Sequence, residues 1–481
     1  MRTELILPGT EMMHTAPGEP RETALADTES VCPVCLAQVR AERQQCGAEV
    51  NLVKTCREHG TFRSLIWRGE TALSTWIRSK VLCVPILSCS KTEHGCPFDC
   101  GLCPLHEQHT CTMLLEITQR CNLRCPVCFA SAGGKGAHTD LSLEEATILY
   151  ERIMAASGPC NIQLSGGEPT LHSQLLDIIR QGRNKGFSFI QLNTNGLRLA
   201  ETADYAKMLR EAGLSSVFLQ FDGLREKSHQ ALRGRDLRHI KELAIRHCGA
   251  AGLGVVLVPT LIPGVNTEEL GAIIAFGVQH APTVRGVHFQ PVSYFGRYPD
   301  YAQVEDRRLT LPELLQLLQE QGDGALLVEH FAPPACEHAL CSAHASYIIS
   351  EEGSLLPVGA GQSACCSSEL PQQGFPTALE GKQKSVAFTA RQWGPAPPEL
   401  SGAPVQNEQD LDDFDRFLAR ARSYKFSISA MFFQDAWNLD LERLRGCCIH
   451  VAAPDGRIIP FCAYNLSAKD GTTLYLGKKF P

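Results

Sequence analysis

The stretch Glu116-Ile117-Thr118-Gln119-Arg120-Cys121-Asn122-Leu123-Arg124-Cys125-Pro126-Val127-Cys128-Phe129 decides how the rest of this chain is read. It grows out of a short apolar run, Met113–Thr118, whose pattern predicts a strand. Cys121, Cys125 and Cys128 stand in CxxxCxxC spacing, and an aromatic residue, Phe129, comes next. Three thiolates on one short loop can ligate three irons of a cubane cluster. The fourth iron then has no protein ligand nearby and is open to a chelating molecule. CxxC pairs also build zinc ribbons, so zinc is the competing reading. The spacing and the preceding strand favour a [4Fe-4S] cluster.

Working outward, short apolar runs alternate with amphipathic ones. Strands are expected at Met113–Thr118, Asn161–Leu164, Ser188–Asn193, Ser216–Phe221, Gly254–Leu261 and Gly286–Gln290. Helices are expected near 142–157, 172–185, 201–212, 236–251 and 267–281, the first opened by a Ser142/Glu145 capping box. Such alternation predicts an α/β fold, a parallel sheet closing into a partial (β/α)6 barrel. Ligands of parallel α/β folds collect at the carboxyl ends of the strands. Three polar segments fall there: Ser165-Gly166-Gly167-Glu168-Pro169, Asn193-Thr194-Asn195-Gly196 and Gln220-Phe221-Asp222-Gly223. Glu168 offers a carboxylate to an ammonium group. Asn195 and Asp222 can also serve simply as helix caps.

The cysteine triplet and the Gly-Gly-Glu segment together resemble the radical S-adenosylmethionine (SAM) superfamily. The resemblance implies that Cys121, Cys125 and Cys128 carry the catalytic cluster. It implies a SAM pocket formed by Phe129, Gly166, Gly167, Glu168, Asn193, Asn195, Gln220 and Asp222. It further implies reductive cleavage of SAM and removal of a hydrogen atom from an unactivated sp3 carbon, fed by a low-potential electron donor such as ferredoxin or flavodoxin.

Composition bounds the remaining choices. The 481 residues carry 45 Lys and Arg against 52 Asp and Glu, a net charge of -7, which argues against nucleic acid as the main partner. No apolar run is long enough to span a bilayer, and Met1–Pro20 has no signal-like apolar core. A cytoplasmic protein is expected. The 22 cysteines fall mostly at metal-ligand spacings, which favours metal and iron–sulfur sites over disulfides.

Three regions are expected: a cysteine-rich region, 1–112; the partial barrel, 113–304; and a C-terminal auxiliary-cluster domain, 305–481. Cys96, Cys100, Cys103 and Cys111 can enclose an auxiliary [4Fe-4S] cluster, with zinc as the alternative. Cys32, Cys35 and Cys56 form two knuckles of a ribbon for mononuclear Zn or Fe, and His59 is taken over Cys46 as the fourth ligand. Cys336, Cys341, Cys448 and Cys462 can hold a further cluster, with Cys447 the spare of its adjacent pair. Packed thiols are the alternative there. Cys83, Cys89, Cys160, Cys248, Cys365 and Cys366 read as packed or free thiols. Leu311–Glu320 is expected to be helical, Gly394–Pro404 to be a linker, and 407–422 an acidic helix.

Blocks spread along the chain narrow the resemblance: Lys54-Thr55-Cys56-Arg57-Glu58-His59-Gly60, Phe289-Gln290-Pro291-Val292-Ser293-Tyr294-Phe295-Gly296-Arg297, Phe433-Gln434-Asp435-Ala436-Trp437-Asn438, and Ile459-Pro460-Phe461-Cys462-Ala463-Tyr464-Asn465. They resemble the tetraether lipid synthase family, whose members have also been described as pterin methyltransferases. That family implies coupling of lipid alkyl chains by C–C bond formation, with one or two auxiliary clusters and transient membrane-surface contact. The alternative is a radical SAM methyltransferase acting on a pterin or related heterocycle. From other classes, a non-catalytic iron–sulfur scaffold and a zinc-only module also fit the cysteines alone.

Overall fold

The computed structural model describes residues 23–77, 83–133, 140–298, 308–334, 336–358, 378–394 and 413–475. Cys365 and Cys366, and most of the expected linker at Gly394–Pro404, lie outside them.

The N-terminal strands β1 (Thr23–Val31), β2 (Gln38–Cys46), β3 (Glu49–Cys56) and β4 (Gly60–Arg68) form an antiparallel four-stranded sheet in sequential order. The sheet docks through buried polar groups. The buried Lys54 ammonium donates to Ser30 Oγ at 3.0 Å and to the carbonyl of Ala436 at 2.6 Å. Arg43 pairs with Asp440 at 2.7 Å, and Ser64 Oγ donates to Trp437 O at 2.8 Å.

The second sheet holds β5 (Thr112–Thr118), β6 (Asn161–Gly166), β7 (Ile190–Thr194), β8 (Ser216–Gln220), β9 (Gly254–Val258), β10 (Thr260–Leu261), β11 (Val284–Pro291), β12 (Ser342–Ile349), β13 (Leu355–Pro357), β14 (Lys425–Met431), β15 (Ile449–Ala452) and β16 (Ile458–Pro460). Its order is β13-β12-β14-β11-β9-β8-β7-β6-β5-β15-β16, with β10 beside β11. The six expected strands are all present and parallel. Helices Leu143–Ser157, Leu175–Asn184, Ala203–Glu211, Arg238–Ala250 and Leu270–Gln279 occupy the expected crossovers, and the Ser142/Glu145 capping box forms.

The chain after residue 304 does not stand apart from this sheet. Strand β14 continues it in parallel from β11, and β15 does so from β5. One apolar core accordingly runs from Met113 through Val217 and Phe289 to Phe426 and Ile428. The expected helix at Leu311–Glu320 is present as Leu311–Gln321, and the described part of the expected acidic helix is Asp413–Ser423. Among the described residues no helix is long and apolar enough to cross a membrane.

Candidate active site

Strand β5 delivers the triplet to the carboxyl ends of the sheet. Cys121, Cys125 and Cys128 line one cavity of about 280 Å³ there. Burial pushes the Cys121 thiol up to about 11, with the neighbouring carboxylate and thiols adding to the shift. An electropositive centre relieves that penalty by binding the thiolates.

Two arginines hold the loop in shape. Arg233 donates to Val127 O at 3.0 Å and grips both oxygens of Asp222 at 2.7 Å. Arg297 donates to Cys125 O at 2.7 Å and to Ala132 O at 3.2 Å, and its backbone exchanges two hydrogen bonds with Cys128. Gly296, at φ +72°, permits this: a Cβ there would lie 2.2 Å from Phe129 O. The sequence block at 289–297 therefore braces the cysteine loop across more than 160 residues.

The Gly-Gly-Glu segment packs onto the same backbone. Cβ atoms on Gly166 and Gly167 would fall 2.1 Å from Thr118 O and 2.2 Å from Arg120 O. The amides of Gly167 and Glu168 donate to these carbonyls at 2.7 Å. The buried Glu168 carboxylate accepts from Thr170 Oγ1 at 2.6 Å, Thr194 Oγ1 at 2.7 Å and Asn195 N at 2.8 Å. Its donors all lie within the protein, and the group lines the cavity. Asn195 has two tasks. Its Oδ1 accepts from Leu197 N at 3.0 Å, and its Nδ2 donates to Asn122 Oδ1 of the cysteine loop at 2.8 Å.

Phe129, Gly166, Gly167, Glu168, Asn193, Asn195 and Gln220 all line the cavity, so the structure brings them together. Asp222 departs from expectation. It is fully buried and outside the cavity wall, because Arg233, Gln220 Nε2 and the amide of Thr260 engage its carboxylate. Its work in this geometry is to aim Arg233 at the loop. Sequence reading also missed Lys241, fully buried, which donates to Asn195 O at 2.6 Å and to Gln220 Oε1 at 3.2 Å. Burial pulls this ammonium down to about 7. Neither Arg233 nor Lys241 sits in a recognisable local motif; only their helices' inward faces mark them.

The residues fit a cluster and SAM. Three thiols share one cavity wall with a buried carboxylate, and the glycine pair leaves room where any Cβ would collide with the loop. The cavity roof is aromatic: Phe433 and Phe461 lie 4.4 Å apart, and Phe129 and Phe461 5.7 Å.

The outlying cysteines regroup. Cys96, Cys100 and Cys103 remain neighbours. Cys111 leaves them and packs with Cys336 and Cys448. The reason is strand pairing: Cys111 N donates to Cys448 O at 2.8 Å where β5 meets β15. Cys111 is thus drawn from the local set to Cys336 and Cys448, because sequence spacing carries no information on sheet neighbours, while Cys341 and Cys462 stand near the adjacent Cys447. In the N-terminal sheet, Cys32, Cys35, Cys56 and His59 place one ligand atom each within 4.8 Å of one another. His59 Nδ1 is 3.6 Å from Cys32 Sγ and 3.5 Å from Cys56 Sγ. Cys46, at the far end of β2, stands outside the group.

Residues 115–277 match the family model of the radical SAM superfamily, and residues 24–68 match that of the HMPTM N-terminal zinc ribbon domain. A protein of Methanocaldococcus jannaschii named 7,8-dihydro-6-hydroxymethylpterin dimethyltransferase is 35% identical over 480 residues, covering 91% of this chain and 93% of its own. A GTP 3',8-cyclase of Peptoclostridium acidaminophilum is 32% identical over 181 residues, covering 37% of this chain and 54% of its own. Among solved structures, SuiB of Streptococcus suis bound to S-adenosylmethionine aligns at TM-score 0.37 and 13% identity, covering 45% of this chain and 48% of that one. With the cysteine loop, its cavity and a relative matched along nearly its whole length, the chain belongs to the radical SAM superfamily.

Proposed function

We propose that this radical SAM enzyme methylates a pterin-class heterocycle. The observation that carries the reading is the near-full-length match to the relative named as a dihydropterin dimethyltransferase. The cavity supports it chemically. Its wall mixes aromatic rings with the amides of Gln163, Asn193 and Gln290, which suits a flat ring with hydrogen-bonding edges. An alkyl chain would leave the buried Asn193 Oδ1, which no group among the described residues engages, without a partner, at a desolvation cost of about 1–3 kcal/mol. The lipid-coupling expectation has no counterpart among the relatives described above.

When bound, the reduced cluster and SAM supply hydrogen-atom abstraction from an unactivated C–H bond. The chain's own residues set the stage for it. Cys121, Cys125 and Cys128 hold three irons, and Glu168 takes the ammonium of the methionine moiety. Asn195 and Gln220, both steadied by Lys241, present polar atoms beside it. The rings of Phe433 and Phe461, with Phe129 beside them, would shield the reacting carbon from water. The ribbon residues Cys32, Cys35, Cys56 and His59 hold zinc or iron in a closed, structural site. Cys96/Cys100/Cys103 and the thiols around Cys111 and Cys448 are the candidates for auxiliary clusters.

Anaerobic expression of the chain tests this. The expected result is 5′-deoxyadenosine from the reduced enzyme and a newly methylated species in the host's pterin pool. Coupled long-chain lipids with an unaltered pterin pool would overturn the pterin reading in favour of lipid coupling. Absence of 5′-deoxyadenosine from iron-loaded, reduced protein would overturn SAM cleavage itself.

A further inference from the structure

Below the residues assigned to SAM, the cavity continues into the barrel. Phe218 precedes Gln220 by two positions on β8, and His288 precedes Gln290 by two on β11, so each projects from the same inner face as its amide partner. Trp393 ends the helix Ala378–Trp393 and enters from the opposite end of the strands: its carbonyl lies 2.9 Å from where a Cβ on Gly254, the first residue of β9, would stand. Its indole Nε1 donates to Ser427 Oγ at 2.9 Å. The three rings meet in a tight group, with centroids 5.2 Å apart for Phe218 and His288, 5.6 Å for Phe218 and Trp393, and 5.8 Å for His288 and Trp393. All three line the cavity. His288 Nδ1 is fixed by Ser429 Oγ at 2.8 Å, which leaves Nε2 as a polar point among the aromatic rings of the floor.

We propose that Phe218, His288 and Trp393 are the seat of the substrate ring, with the His288 imidazole reading a ring N–H or carbonyl on its edge. The proposal rests on the pterin reading above and deepens it. Burial holds the imidazole neutral, down to about 4, so Nε2 can donate or accept according to its tautomer. The rings meet at interplanar angles of 46°, 41° and 73°, and the faces they leave suit an offset, planar heteroaromatic partner. The residues assigned to SAM, Glu168, Asn195 and Gln220, sit at the carboxyl ends of the strands, Gln220 two positions beyond Phe218 on β8. His288 is on this reading a specificity residue.

The test uses the full-length, anaerobically reconstituted enzyme and 7,8-dihydro-6-hydroxymethylpterin as probe, with Kd measured by equilibrium dialysis. His288→Phe keeps a ring but removes both nitrogens, and is expected to raise Kd about tenfold or more. Ser429→Ala frees the imidazole and is expected to raise it about threefold. In both, the ratio of 5′-deoxyadenosine to methylated product should rise, whereas general damage to the fold would lower both together. Iron content and melting temperature report on folding, and His288→Asn replaces the Phe variant if that one fails to assemble. Probe binding with an unchanged Kd and an unchanged product ratio in the variants would overturn the seat and leave the pterin reading standing. A wild-type enzyme that does not bind the probe would overturn both.

Discussion

The N-terminal ribbon and the cysteine loop of the barrel use the same kind of side chain to opposite ends. In the ribbon, three thiols and an imidazole converge within 4.8 Å from positions no further apart than Cys32 and His59, a set of four that suffices for a tetrahedral ion. In the barrel, three thiols lie along one wall of a cavity of about 280 Å³, with a carboxylate and amides on the others. A closed tetrahedral set stabilises a fold, while an open one leaves a position for chemistry. The contrast extends to what holds each site. Hairpin turns shape the ribbon locally. The barrel loop is held by Arg233, Asn195 and Arg297, which arrive from three other points of the chain.

Removing one thiol from each site is the most direct way to break this comparison. Cys125→Ser should lower 5′-deoxyadenosine formation by more than about 100-fold, since even outer partners of a metal site are worth about 10–100-fold. Metal bound to the ribbon should stay, as elemental analysis would show. Cys56→Ser should do the reverse. The ribbon metal is lost and the melting temperature falls, while turnover per intact cluster stays within an order of magnitude. Equal loss of 5′-deoxyadenosine in both variants would erase the distinction between closed and open sites.

The clamp gives a smaller effect. Arg233→Met leaves Asp222 buried without its partner, and the chain should lose about 3–5 kcal/mol of stability in chemical denaturation. Arg233→Lys should recover only part of it, because an ammonium cannot grip two oxygens and Val127 O in one plane.

The smallest effect is a slope. Lys241 has its ammonium pulled down to about 7 by burial, against 10.5 for the ordinary side chain. Between those values the unfolded chain holds a proton that the folded chain does not. Stability therefore rises with pH through this window and loses that contribution as pH falls to about 7. Lys241→Met should remove up to about 1.4 kcal/mol per pH unit of that slope in urea titrations. Parallel slopes for the two proteins would show that Lys241 keeps its charge in the fold.

Much of the barrel was legible in sequence. The strands from Met113 to Gln290 are buried on both faces and read as plain apolar runs, so position along the chain was enough to place them. The Cys121 loop and the Gly166–Glu168 segment were legible because their chemistry lies in local spacing, whatever distant side chains brace them. The convergence of the four ribbon residues, His59 included, was legible for the same reason. What sequence reading missed came from pairing between distant segments. Asp222 looked like a cavity residue until Arg233 claimed it. Cys111 looked like the fourth of a local set until β15 drew it to Cys448. The floor formed by Phe218, His288 and Trp393 joins three elements with no common motif.

By itself, then, the sequence determined the α/β order of the barrel, the chemistry of the triplet and the ribbon, and the parallel run of the barrel's six strands. Local spacing and hydrophobic period suffice for these, because a loop or a strand presents its side chains at fixed intervals. Only the tertiary structure decided which thiols share a neighbourhood, which carboxylate faces the cavity and what lies on its floor. Those depend on the sheet order that sets β14 beside β11 and β15 beside β5, and hydrogen bonding between backbones carries no residue code for its partner.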